Sequence, residues 1–145
     1  MEKIPVFLPH IDKEMRKHLE NALDVGWLGM GASTKKFEDK IMEFLKLKDR
    51  YAITTNTGTA ALHVALKIAN VGAGDEVITP SFNYVADQQA IKMSGASVVM
   101  CDILENNLGI DTVKAESLIT KKTKAIMPLH FAGIPCDISK VYELA

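Results

Sequence analysis

Cysteine is scarce in this chain: Cys101 and Cys136 are the only two in 145 residues, far apart and without CxxC spacing. That pattern signals neither a zinc site nor a disulfide framework, and two unpaired thiols fit a reducing cytoplasm. An excess of one charge is also missing. Lys and Arg total 17 against 18 Asp and Glu, for a net charge of −1. No basic surplus addresses nucleic acid, and no like-charge block suggests an interaction tail. Long hydrophobic runs are absent as well. The stretch Ile4-Pro-Val-Phe-Leu-Pro9 is broken by proline and too short for a signal peptide, and no later segment approaches membrane-spanning length. A cytoplasmic location without a membrane partner is therefore expected. With 48% hydrophobic and 24% charged residues, the composition is that of an ordinary globular domain with a substantial core.

The most informative stretch runs from 54 to 69, Thr-Thr-Asn-Thr-Gly-Thr-Ala-Ala-Leu-His-Val-Ala-Leu-Lys-Ile-Ala. A small polar turn, Asn56-Thr57-Gly58-Thr59, leaves a short apolar run and opens into an amphipathic helix. Leu62, Ala65, Leu66 and Ala69 at i, i+3, i+4 and i+7 are its expected buried stripe. Glycine allows a close approach of the backbone, the first helical turn leaves amides unpaired, and threonine hydroxyls stand beside them. Together these groups form a seat for a phosphate. A capped helix that binds nothing uses the same residue types, so the turn needs company to mean more.

Before residue 51 the pattern is helical. Met15, Leu19, Ala22 and Leu23 predict a helix over 12–25 that Gly26 stops. A glycine-rich loop holding the single tryptophan follows, Gly26-Trp27-Leu28-Gly29-Met30-Gly31. A second helix, capped by Ser33 or Thr34, carries Phe37, Ile41, Phe44 and Leu45 on one face. From 51 onward short strands alternate with helices. Strands are expected over 51–55, 76–79, 97–101 and 124–129, with helices over 59–70, 83–93 and 111–120 and a last one from Asp137. Val98-Val99-Met100 is apolar without alternation, as in a sheet covered on both faces. The expected fold is a three-layer α/β/α sandwich with a mainly parallel sheet. Residues 1–50 read as a helical arm with a loop, and 51–145 as the first part of an α/β domain. The final helix stops after roughly two turns, which reads as a domain cut short.

Ligands of open α/β sheets sit beyond the carboxyl ends of the strands. Three segments follow strands and carry polar or aromatic groups: 56–59, 79–86 and 128–135. On parallel strands they converge on one rim. Phosphate donors at the first, Tyr84 at the second and His130 at the third suit a planar phosphorylated cofactor. Singly, Tyr84 or Phe82 is more often a core aromatic, and His130 more often a satisfied core histidine; jointly, at three strand ends, they point to a site. Gly29-Met-Gly31-Ala-Ser-Thr34 imitates a dinucleotide fingerprint but follows a helix, and no GxGxxG follows a strand. An oxidoreductase of the Rossmann type is disfavoured.

Taken in order, Ile4-Pro-Val, the Gly26-Trp27 loop, Asn56-Thr-Gly-Thr-Ala-Ala-Leu62, Gly74-Asp-Glu-Val-Ile-Thr-Pro-Ser81 and Lys124-Ala-Ile-Met-Pro-Leu-His-Phe-Ala-Gly-Ile-Pro-Cys-Asp137 resemble the N-terminal part of the DegT/DnrJ/EryC1/StrS family. These are aminotransferases of nucleotide sugars that depend on pyridoxal 5'-phosphate (PLP). The resemblance implies a type I aminotransferase fold and a homodimer with active sites at the subunit interface. It implies that Thr57, Gly58 and Thr59 hold the cofactor phosphate, that Tyr84 stacks on the pyridine ring, and that His130 and Gly133 line the pocket. Trp27, Leu28 and Gly29 would lie near the entrance for the sugar nucleotide. The implied reaction moves an amino group, from a donor such as glutamate, onto a keto-sugar nucleotide.

The family's Schiff-base lysine and the carboxylate that pairs with the pyridine nitrogen follow the helix that begins here at Asp137. No lysine of this chain sits in that motif: Lys92 is on a helix face, and Lys121, Lys122 and Lys124 form a solvated cluster. By itself the chain is expected not to transaminate or to attach PLP covalently at the family position. The competing expectation is a non-catalytic binding or assembly module of the same fold.

Overall fold

The computed structural model describes residues 4–5 and 8–145, so the N-terminal proline-broken stretch lies partly outside the described residues. The chain divides between Thr54 and Thr55 into two compact units, each taken by itself below.

The first unit contains α1 (Lys13–Val25) and α2 (Ala32–Phe44). Asp12 caps α1, accepting from Met15 N at 2.8 Å, and Gly26 ends it at φ 71°, a conformation glycine adopts without strain. The cap of α2 differs from expectation. The helix begins at Ala32 behind Gly31, without a side-chain cap, so Ser33 and Thr34 are already inside it. The neighbouring indole packs on this turn. Trp27 Nε1 donates to Met30 O at 3.0 Å and lies where a Cβ on residue 31 would stand, 2.6 Å away. A side chain at residue 31 would require the indole to move. The expected stripes are not buried: Met15, Leu19, Leu23, Phe37 and Phe44 are all exposed.

Residues 51–55, expected as a strand, belong to no ladder. Tyr51 and Ile53 are exposed, and Thr54 N and Oγ1 both donate to Glu38 Oε1, at 2.8 and 2.9 Å. An alternating β-prone segment forms a strand only where a neighbour pairs with it. Here a carboxylate takes the donors instead.

The second unit is a βαβ assembly. α3 (Gly58–Ile68) precedes β1 (Glu76–Pro80), α4 (Ala86–Met93), β2 (Ser97–Cys101), α5 (Thr112–Ser117), β3 (Thr123–Ile126), a 3-10 turn at Phe131–Gly133, and α6 (Ile138–Leu144). The sheet order is β2-β1-β3, and both pairings are parallel. β1 is central, and Val77, Ile78 and Thr79 are fully buried. Successive residues of each strand face opposite ways. Val77, Val98 and Ala125 join Leu66, Val71, Ala90 and Ile91 on the face covered by α3 and α4. Ile78, Val99 and Ile126 join Ile110, Ala115 and Val141 on the face covered by α5 and α6. This is the three-layer α/β/α arrangement with a parallel sheet.

Within it, the expected stripe of α3 is only partly correct. Leu66 is buried and Leu62 half-buried, whereas Ala65 and Ala69 are exposed. His63, a polar residue that an apolar period does not count, is half-buried beside Leu62. Boundaries also shift: α4 begins at Ala86 rather than 83, α5 ends at Ser117, and β3 ends at Ile126.

Candidate functional site

The carboxyl end of β1 runs into Ser81–Val85, and that of β3 into 127–135. The two loops are tied by Phe82 and Phe131, whose ring centroids lie 4.7 Å apart at 35°. Offset aromatic contacts of this kind are worth about 1 kcal/mol beyond area burial. Phe82 is thus a structural clasp. Tyr84, two residues on, is 77% exposed, so its ring is free for a ligand.

A pocket of about 450 Å³ opens beside Tyr84, lined by Gly58, Thr59, Leu62, Asn83, Tyr84, Ala86, Asp87 and Leu129. It draws on all three loops expected to converge. Its polar side is the start of α3. Thr57 caps that helix, its Oγ1 accepting from Ala60 N at 3.1 Å, while Ala61 N reaches Thr57 O. The amides of Gly58 and Thr59 take no acceptor among the described residues, as the geometry of a helix start requires. A Cβ at Gly58 would meet nothing within 4 Å. The rest of the lining is Leu62, Tyr84, Ala86 and Leu129 together with the polar Asn83 and Asp87.

The other expected site residues fall differently. The Thr57 hydroxyl is engaged in its cap and is not among the lining groups. His130 is next to Leu129 but does not line the pocket; its Nδ1 accepts from Cys136 N at 3.1 Å. An accepting Nδ1 carries no proton, so the neutral ring holds it on Nε2. Gly133, at φ 79°, shapes the turn after it. In the first unit Trp27 and Gly29 line a hollow of about 140 Å³ with Ala22, Val25, Ala32 and Ser33, and Leu28 is outside it.

Sequence reading missed Asn83, Asp87 and Leu129. Asp87 is 6% exposed. Burial raises its carboxyl above the ordinary value of 3.8, against hydrogen bonds from Asn83 and Thr79. Asn83 and Asp87 at i, i+4 around an aromatic, just past an apolar strand, were the available signal. No lysine lines the pocket. Lys114, held to Asp102 at 2.7 Å, has its ammonium pushed above the usual range by that bond, the opposite of what a nucleophilic amine needs. Burial likewise raises both thiols, Cys101 and Cys136, and neither lines the pocket. Among the described residues no helix is long and apolar enough to cross a membrane.

The profile of the DegT/DnrJ/EryC1/StrS aminotransferase family matches residues 9–145. The chain belongs to this family. The spore coat polysaccharide biosynthesis protein SpsC of Bacillus subtilis is 39% identical over 142 residues, 98% of this chain and 36% of that protein. GDP-perosamine synthase of Vibrio cholerae is 39% identical over 142 residues, 97% of this chain and 38% of that protein. Among solved structures, Spr1654 of Streptococcus pneumoniae, described as a sugar aminotransferase, superposes in its PMP form with a TM-score of 0.90 at 34% identity, covering 99% of this chain and 36% of the other. The chain therefore spans little more than a third of the length of these DegT/DnrJ/EryC1/StrS relatives.

Proposed function

We propose that this chain provides the phosphate seat and the aromatic platform for PLP in an aminotransferase acting on a keto-sugar nucleotide. The carrying observation is one pocket that unites two helix amides without an acceptor among the described residues, at Gly58 and Thr59, with the open ring of Tyr84. Supporting it are the family membership and the PMP and PLP forms of the Streptococcus protein.

The residues present fit a planar, phosphorylated ring. Amides at a helix start favour an anionic group. Leu62, Ala86 and Leu129 offer an apolar wall, and Tyr84 a face for stacking. Thr57 acts by holding the helix start in shape, and Thr59 by lining the pocket itself. His130 would present Nε2–H as a donor near the same rim. Trp27, Leu28 and Gly29 would meet the sugar nucleotide. When bound, the cofactor supplies an electron-accepting ring through which an amino group passes from a donor such as glutamate to the keto-sugar. The protein's part is to bind the phosphate, orient the ring and exclude water. A homodimer in the cytoplasm is the setting this reading implies.

Equilibrium dialysis with pyridoxamine 5'-phosphate (PMP) tests it. Loss of one neutral hydrogen bond in Thr59→Val is expected to weaken binding about fivefold. Unchanged affinity would remove the seat from the cofactor. Because no lysine lines the pocket, PLP bound there is expected to show no imine band that borohydride abolishes at a pocket residue.

A further inference from the structure

Asp87 has a role that neither the phosphate seat nor the aromatic platform explains. It is a nearly buried carboxyl on the pocket wall, and no ion pair among the described residues includes it. Burial without a cation is unfavourable unless hydrogen bonds compensate. Its Oδ2 accepts from Asn83 Nδ2 and, at 3.4 Å, from Thr79 Oγ1 on β1. Asn83 is itself half-buried, and its Oδ1 accepts from Tyr84 N at 2.6 Å. The three residues form a chain: the carboxyl holds the amide nitrogen of Asn83, and the amide oxygen holds the backbone of Tyr84.

The orientation of that amide is the decisive point. An asparagine side chain has donors on one side and an acceptor on the other, and it can be turned over. An ionised carboxylate only accepts, so it admits the Nδ2 side and repels the oxygen. Oδ1 is thereby aimed at Tyr84 N. Were the amide reversed, two N–H groups would face each other at Tyr84 and its backbone would lose its acceptor. Thr79, fully buried on the central strand, anchors the other end of the chain to the most rigid part of the sheet.

We infer that Asp87 and Asn83 are positioning residues that set Tyr84 over the pocket. The proposal rests on the reading of Tyr84 as the ring platform. It differs in that Asp87 makes no claim on the ligand: it acts through the Asn83 amide. Three consequences separate it from a purely structural role. An asparagine at 87 keeps one oxygen acceptor, and Thr79 Oγ1 and Asn83 Nδ2, which donate to the same Oδ2 of Asp87, favour that oxygen at this place, so Asp87→Asn should preserve the relay while Asp87→Ala breaks it. The loss should be confined to ring stacking and spare the phosphate seat. It should also vanish where Tyr84 has already been removed.

The test uses the whole chain, with PMP, whose amine forms no imine with lysine, and with inorganic phosphate as the comparison ligand. Amide exchange of Tyr84 with water, read by NMR, needs no ligand at all. Asp87→Ala and Asn83→Ala are each expected to speed Tyr84 exchange and weaken PMP about tenfold, with phosphate affinity unchanged. Asp87→Asn is expected to retain both. In a Tyr84→Ala background, Asp87→Ala should weaken PMP no further. If Asp87→Ala fails to fold, Asn83→Ala, which removes the acceptor of Tyr84 directly, carries the test. Unchanged Tyr84 exchange in Asn83→Ala overturns the proposal. So does an equal loss of phosphate and PMP, or a further loss of PMP without Tyr84. If the unaltered chain binds no PMP while Tyr84 exchange still accelerates in the variants, the cofactor reading falls and the relay stands.

Discussion

The two units of this protein carry the same kind of sequence signal and meet different fates. In the first, α1 and α2 have well-spaced apolar stripes, a side-chain cap at Asp12 and a glycine stop at Gly26, yet neither helix buries a residue. In the second, shorter helices with weaker periodicity enclose two cores, because a parallel sheet lies between them. Amphipathicity states which face of a helix is apolar. It does not state what covers that face. Helices of this length owe most of their stability to packing rather than to propensity.

Paired substitutions break or sharpen this comparison. The largest effect is expected from Ile78→Ala on the central strand, where a fully buried side chain leaves a cavity; the loss should be about 2–5 kcal/mol by urea denaturation. Leu19→Ala on the 62% exposed face of α1 should fall within about 0.5 kcal/mol. A comparable loss at both sites would mean that the α1 stripe is covered in solution.

Caps give a finer contrast. Asp111 accepts from Val113 N and Lys114 N at 3.0 and 3.2 Å at the start of α5, whose Ala115 is fully buried in the core. Asp111→Ala should lower global stability by about 1 kcal/mol. Asp12→Ala removes a cap of similar geometry but should reduce α1 helicity by circular dichroism while leaving the main unfolding midpoint in place. A shift of that midpoint by Asp12→Ala would show that the two units unfold together.

The smallest effect concerns pH. The carboxyl of Asp87 titrates above its ordinary value of 3.8 because burial opposes its charge. The unfolded chain therefore releases this proton at lower pH than the folded one. The stability it contributes is present below about 3.8 and declines as pH rises through the raised folded value. Asp87→Asn should flatten that decline, and denaturation midpoints across this range should show it. An unaltered slope would assign the decline to other groups.

Much of the second unit was legible. Strands β1 and β2 were expected in place and β3 near its place, since parallel strands covered by helices read as short apolar runs between turn residues. The start of the last helix at Asp137 and the stop at Gly26 also stood out, because such signals depend on residues close in the chain. The convergence of the three loops was legible too, as a consequence of parallel topology. Less visible was the segment 51–55, whose alternation marks an extended chain but in which both Thr54 donors go to Glu38. The face of α3 was misjudged, since it turns half-buried His63 inward while Ala65 stays exposed.

Periodicity, caps and turns are local, and the sequence by itself determined them: where helices and strands lie, that the sheet is parallel, and that unpaired amides at Gly58 and Thr59 await an acceptor. Contacts between residues distant in the chain were decided only by tertiary structure. These include the clasp of Phe82 on Phe131 and the burial of Asp87, whose carboxyl meets Thr79 on the central strand. The physical reason is that burial depends on what packs against a side chain, and one segment's pattern does not name its neighbour.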